Sequence, residues 1–572
     1  MQHWTRPVVR ALVLVALGAL MALAACRRDP PPPAVPLVGD PVGAGQVREA
    51  AAEGGRATGT GDLPMPRDPA PADNVFVWPE VGAEYLDPNK ISETAGSTIG
   101  MNLFEGLLVY APDNGPPRPG VAERWESSDS RTWTFHLRGD ARWSNGRTVT
   151  AGDFAYSWQR GLEPATASRN AQQLWFIEGA KEFNTGALRD FSKVGVRVVD
   201  DRTLEVTLVG PTPFFPKVLP YIAYAPVPRE AIEAHGDAWT RPENIVTNGA
   251  FHLTENKLRE RLVMKKSPTY WDAASVRLSG AVVLHSESET NAWQLYEQGK
   301  VHWTPGTVPT DKIPLLMASG RPDFHTHPYM CVYYYLFRTD RPPFNDVELR
   351  RALNRATDKE RITKHITRGG QTPATHLVPP MFAEMGYESP EGDAFDPEEA
   401  SRLLAEAGYP GGKGLPSLEI IYNTLEGHRL IAESIQRNLK DVLGVQATLS
   451  NMEWKSLLKR LNEGEFQIAR GSWCADYADP YNFLQVFHSQ GESNYAAYKN
   501  PEYDALLDRV WQTGDVGERN DLMAQAEAII NRDLPILPLY FYTRSYLLKP
   551  WVRGFEPQYR DNHLLKYLWF ER

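Results

Sequence analysis

The stretch "RTWTFHLRGDARWSNGRTVT" alternates apolar and polar residues, which predicts strands broken at a Ser-Asn-Gly turn. Thr150 then opens "TAGDFAYSWQRGL", whose spacing predicts a helix, with Asp153 three residues on as a capping-box partner. "VGVRVVDDRTLEVTLVG" alternates again and predicts a strand pair turning at the two aspartates. Further on, "DPEEASRLLAEAGYPGG" predicts a helix with Asp396 as N-cap and Pro397 at the first helical position, stopping at Gly408. "SLEIIYN" predicts a strand. "EGHRLIAESIQRNLKDVLG" predicts an amphipathic helix with Leu430, Ile431, Ile435 and Leu439 inward, and "VQATLSN" a second strand. Strand, helix, strand within about 35 residues is a βαβ unit, so a sheet here is parallel in part.

Two N-terminal segments lack either period. "ALVLVALGALMALAA" follows a short basic stretch and is too short for a comfortable membrane span. It fits the apolar part of an export signal, residues 1–26. Leu23, Ala24 and Ala25 before Cys26 are similar to a bacterial lipobox, which implies acylation of Cys26 and a membrane-surface anchor. The expected location is the periplasm or the cell surface. Residues 27–73 are rich in Pro, Gly and Ala and read as a disordered tether, spanning roughly 35–40 Å as a flexible chain.

Composition narrows the classes. The chain has 572 residues, 61 basic and 71 acidic, for a net charge of -10, which argues against a nucleic-acid partner. Three cysteines are present, and with Cys26 acylated two remain. In an oxidising compartment Cys331 and Cys474 form either one disulfide or two buried thiols. A disulfide would close a loop of roughly 140 residues, worth up to about 4–5 kcal/mol in the chain-entropy model. No H-E-x-x-H, G-x-S-x-G or G-x-x-x-x-G-K-[ST] motif occurs, and no pair of C-x-x-C. His325 and His327 in "FHTHP" read as a solvated loop or strand end rather than a metal site. We therefore expect no enzyme, cofactor or metal.

"FQIARGSWCADYADP" begins as a strand ended by Pro480, and its edge suits an added peptide strand. On composition alone Asp476 reads as a turn cap. The stretch "WCADY" resembles the matching segment of the oligopeptide-binding proteins of bacterial ABC importers, the family 5 extracellular solute-binding proteins. So do "LFEGLLVY", "NIVTNGAF", "SPTYWD", "PPFNDVELRRAL", "LLAEAGYP" and "LLKPWV", in the family's order from about Asn74 to the C-terminus.

The resemblance implies an α/β fold, periplasmic-binding-protein-like (class II, cluster C), with two lobes on a hinge and an extra domain in the N-terminal lobe. It implies domain I from 74–95, 215–330 and 543–572, domain II from 96–214, and domain III from 331–542. It implies Asp476 for the peptide amine, Trp473 and Cys474 on the peptide-pairing strand, and Arg470 and His428 for the peptide carboxylate. Trp454 becomes a side-chain pocket wall, and Tyr156, Tyr334 and Tyr329 tyrosines near the ligand. Glu80 is preferred to Glu84 as a further contact because it directly follows the first strand. Cys331 matches the disulfide partner of Cys474. Thr367 and Leu461 depart from family cations, which puts ligand length in question; Arg368 and Arg460 stand beside them. The implied partners are short peptides, an ABC permease and ATPase complex, and the membrane through the lipid on Cys26. A monomer is expected. The alternatives are the same fold for murein peptides, a peptide hydrolase, and a structural surface lipoprotein.

Overall fold

The computed structural model describes residues 69–572 apart from Thr307 and Glu492. The export signal, Cys26 and the tether up to residue 68 lie outside the described residues. Among the described residues no helix is long and apolar enough to cross a membrane.

"VFVWPE" alternates, and the strand Val75–Glu80 accordingly drives Phe76 and Trp78 fully inward. It pairs in parallel with Gly280–His285, beyond which Arg261–Lys266 and Phe251–Lys257 run antiparallel. A second four-stranded sheet orders Ala122–Glu126, Thr132–Leu137, Thr203–Thr207 and Val196–Asp200. The helix Ala151–Leu162 joins both sheets to one hydrophobic core through Phe154 and Trp158. Its start is built as expected: the Thr150 N–H donates to Asp153 Oδ2 at 2.8 Å. The Asp-Asp hairpin is also present. The Ser-Asn-Gly turn differs, closing only an isolated bridge between Arg142 and Thr148. The strand before it, Thr132–Leu137, finds both partners elsewhere, in Ala122–Glu126 and Thr203–Thr207.

The C-terminal lobe holds a six-stranded sheet, ordered Thr372–Pro373, Ile536–Leu547, Phe324–Phe337, Ile468–Cys474, Leu418–Asn423 and Ala447–Met452. In "VYYYLF" both faces are buried. Val332, Tyr334 and Leu336 enter one core, and Tyr333, Tyr335 and Phe337 the other. A period of two with apolar residues at every position is what a strand covered on both faces requires. The βαβ unit is as expected, with Leu418–Asn423 and Ala447–Met452 parallel and the helix Glu426–Leu443 between them. Leu430 is a correction: it stays 37% exposed, while His428, Ile431, Ala432, Ile435 and Leu439 form the buried stripe.

The paired strands Phe324–Phe337 and Ile536–Leu547 run from one lobe into the other. Phe324 and Leu547 pack beside Tyr296 at one end, and Leu336 and Ile536 enter a C-terminal-lobe core at the other. Their register breaks between Pro328 and Val332, which adds a local kink and twist where the chain crosses. His325 and His327 lie at the start of this strand, the strand-end alternative rather than the solvated loop. His325 stacks on Tyr546 at 5.1 Å, and buried His327 bonds the Gln558 carbonyl at 2.8 Å through Nε2.

One buried acid makes a stability prediction. Glu527 is fully buried and accepts bonds from the Leu377 and Val378 N–H groups at 2.9 and 2.7 Å and from the Tyr387 hydroxyl at 2.6 Å. Burial, opposed by those bonds, pushes its pKa up to about 7. Nearby His376, pushed down to about 4 by burial, is neutral where Glu527 titrates. The folded protein holds the Glu527 proton more tightly than the unfolded chain. The stability this carboxyl contributes is therefore complete below its ordinary pKa of 4.5 and is lost as pH rises through about 7. Glu527→Gln should flatten that part of a melting-temperature profile measured from pH 4 to 8. An unchanged slope would contradict the assignment.

Candidate functional site

The strand Ile468–Cys474 has one fully paired side, with Cys331 opposite Cys474 and Phe337 opposite Ile468. On its other side pairing with Leu418–Asn423 stops at Ile421 opposite Ala469. From Arg470 to Cys474 that edge carries no strand partner among the described residues. The strand ends at Cys474 rather than at Pro480, which instead precedes the short helix Tyr481–Leu484. The Ala475 N–H donates to the Met330 carbonyl at 3.0 Å, fixing the exit of the strand to the crossing point. Cys331 and Cys474 are joined by a disulfide there.

Asp476 follows immediately. Its backbone N–H donates to Asn482 Oδ1 at 3.3 Å, and the Trp473 indole donates to the same oxygen at 2.8 Å. Asn482 is fully buried and was missed by sequence reasoning; its only signal was its place after "ADPY". Tyr477 stacks on Phe214 of the N-terminal lobe at 5.1 Å, and the ion pair of Asp479 with Arg519 backs that contact. The loop is thus held from both lobes.

The Asp476 carboxyl faces a cavity of about 200 Å³ whose walls include Tyr110, Tyr221, Tyr329, Cys474 and Arg560. Burial pushes its pKa up, and the charge of Arg560 and the Gln173 amide pull against that. A carboxylate held so needs a cation. Tyr329 also lies 5.5 Å from the Arg544 guanidinium.

Arg470, on the same strand, is a buried cation whose partners are all aromatic. It donates to the Tyr542 hydroxyl at 3.0 Å and lies 4.9 Å from the Tyr333 ring centre. Its Nε is buried without a partner. His428 Nδ1 is 3.1 Å from the Tyr333 hydroxyl. Burial and then the charge of Arg470 push His428 down to about 3, so it is neutral. Arg470 therefore stands without a carboxylate among the described residues.

The remaining sequence-predicted residues are spread more widely. Glu80 is pushed up to about 7 by burial, against its bond from the Val81 N–H and the charge of Arg544. Glu84 instead pairs with Arg169 on the surface at 3.2 Å. Trp454 opens the helix Trp454–Glu463 and is 46% exposed. Tyr334 is buried in the C-terminal-lobe core against Phe487, and Tyr156 lies 5.3 Å from Arg229. Neither lines the Asp476 cavity. Leu461 is buried and Arg460 is paired with Glu419 at 2.9 Å. The Thr367 hydroxyl donates to Gln371 at 2.8 Å, and Arg368 is exposed.

The family model for bacterial extracellular solute-binding proteins, family 5 Middle, matches residues 116–495. The periplasmic oligopeptide-binding protein OppA of Escherichia coli is 40% identical over 478 residues, covering 82% of this chain and 88% of that protein. The unliganded open form of MppA, a periplasmic murein tripeptide-binding protein, superposes with a TM-score of 0.76 at 32% identity, covering 87% and 98% of the two chains. Haemophilus influenzae OppA in complex with RPPGFSPFR gives 0.72 at 30% identity, covering 87% and 98%. With a matching sequence model, a two-lobed fold and an interlobe cavity, the chain belongs to the family 5 bacterial extracellular solute-binding proteins.

Proposed function

We propose that this protein captures short peptides in extended form between its lobes and delivers them to an ABC permease and its ATPase. The observation that carries the reading is a pair of opposite charges, Arg470 on one half-open strand edge and Asp476 two residues past its end, neither joined in an ion pair among the described residues. Arg470 and Cys474 are four residues apart, about 13 Å at strand rise, which suits an extended tri- or tetrapeptide. Main-chain pairing gives affinity independent of sequence, and the two end charges set register. Trp473 and Cys474 belong to the pairing strand, Tyr329 to the cavity wall, His428 to the carboxylate end, and Glu80 and Trp454 to its margins.

In this reading residues 331–542 move as one body against the rest, with crossings near 330 and 542. Domain I comprises 74–95, 215–330 and 543–572, and domain II 96–214. A peptide that contacts both lobes favours closure because it binds the closed form better. Titrating the protein calorimetrically with unmodified tri- to pentapeptides should give saturable one-to-one binding; no heat with any of them would overturn the reading. Arg470→Met should weaken tripeptide binding by about 2 kcal/mol, and amidating the peptide carboxyl should mimic it. Equal affinity for amidated and free peptides would remove Arg470 from the site.

The peptide leaves unaltered: mass spectrometry after prolonged incubation should find it intact, whereas a hydrolase would leave fragments. A murein peptide is the second reading, favoured by the similarity to the murein tripeptide-binding protein. Competition between a murein tripeptide and an all-L peptide decides between them. The chain acts as an exported monomer held by lipid on Cys26, and Cys26→Ala should release it from membranes.

A further inference from the structure

This inference rests on the peptide-binding reading and adds a preference at one end of the ligand. The cavity at Asp476 carries a second fixed charge. Arg560 comes from the C-terminal segment and is half-buried. Its guanidinium donates to the Tyr110 hydroxyl at 2.6 Å and lies 5.3 and 5.9 Å from the ring centres of Tyr110 and Tyr221. A guanidinium has five N–H donors. Arg560 itself lines the cavity, with one of its donors spent on Tyr110.

Two other acids stand near, one ion-paired and one bonded only to backbone N–H groups. Asp561 is paired with Arg544 at 2.5 Å and with His563 at 2.9 Å. Glu93, on the cavity wall, accepts from the Glu84 and Gly96 N–H groups at 3.0 and 3.1 Å. Asp476 shares the cavity with Arg560, but among the described residues no ion pair joins them. The cavity wall thus carries one guanidinium, Arg560, and two carboxylates, Asp476 and the backbone-bonded Glu93, around a space of about 200 Å³. That is room for roughly six or seven waters, or one side chain.

A peptide's α-amine and the side chain of its first residue branch from one carbon. If the amine sits on Asp476, that side chain must lie within a few bonds of it, in the same cavity. We propose that Arg560 makes this cavity a pocket for an acidic first residue, with Asp476 taking the α-amine and Arg560 the carboxylate of aspartate or glutamate. Tyr110 and Tyr221 are part of the polar lining. A neutral first side chain leaves the guanidinium without its charge partner, and a basic one meets a like charge.

The test is calorimetry on the full chain with three tripeptides that are alanine at the second and third positions and begin with glutamate, glutamine or lysine. Glutamate and glutamine differ only in charge and hydrogen-bonding pattern. The glutamate peptide should bind about tenfold more tightly than the glutamine peptide, as a charge-assisted contact warrants, and the lysine peptide most weakly. In Arg560→Gln the ratio of the first two affinities should fall to within about twofold. Equal affinities in the unaltered protein overturn the proposal, with or without a folded variant, and so does a preference that survives Arg560→Gln. Binding of the glutamine peptide alone would sustain the peptide reading while removing this one. Binding of none of the three would remove both.

Discussion

Asp476→Asn should cost about 2–5 kcal/mol of peptide affinity, roughly a factor of 30 or more, because a buried ammonium loses its counter-charge. The carboxyl already feels burial strongly enough to raise its pKa. That cost of holding an anion in the cavity is recovered when a cation arrives. The change from Asp to Asn removes charge and little else, and the backbone bond to Asn482 is made by the N–H, which remains. Acetylating the peptide's amine should therefore cost as much as the substitution. It should cost little more when applied to the variant, since the two changes remove the same interaction. Additive losses in that double cycle, measured by calorimetry, would place the amine elsewhere.

Breaking the disulfide should have the largest effect on stability. Cys331 and Cys474 are 143 residues apart, so in the chain-entropy model the bond restrains the unfolded chain by about 4–5 kcal/mol. For a lobe of this size that is on the order of 10 °C in melting temperature. Cys474 is exposed whereas Cys331 is buried, so a reductant meets Cys474 first. Replacing both cysteines by serine, or melting the protein in a reductant, should give the same lowered transition. A melting temperature unchanged by either would show that the strand pairing from Cys331 to Phe337 suffices by itself. The bond also ties the half-open strand to the crossing point between lobes. Peptide affinity should fall as well, by less than in Asp476→Asn, because the charges stay in place.

The elements legible in the sequence are those whose cause is local. The Thr150 and Asp153 box, the Asp396 cap and the parallel strands either side of Glu426–Leu443 all follow from spacings of a few residues. Backbone bonds at a helix start and side-chain periods act over that range. Local reasoning failed where a segment had a competing partner. The Ser-Asn-Gly turn yielded only a bridge because Thr132–Leu137 is paired on both sides by distant strands. Leu430 was misplaced because the buried stripe is set by where the sheet lies, which a helical period alone does not define.

The site divides in the same way. The family resemblance pointed to Asp476, Arg470 and His428, and their residue types are all the sequence itself contributes. That Arg470 has tyrosines and no carboxylate around it, and that His428 is neutral beside it, follow from burial and neighbours brought in by packing. Arg560 is the clearest case: nothing within reach along the chain links it to Asp476, 84 positions earlier in the numbering. What the sequence determined by itself was the set of elements and the identity of the charges, because hydrogen bonding and periodicity are short-range. The tertiary structure alone decided which strand edge stays open and which charges face one cavity, because those depend on contacts between segments far apart in the chain.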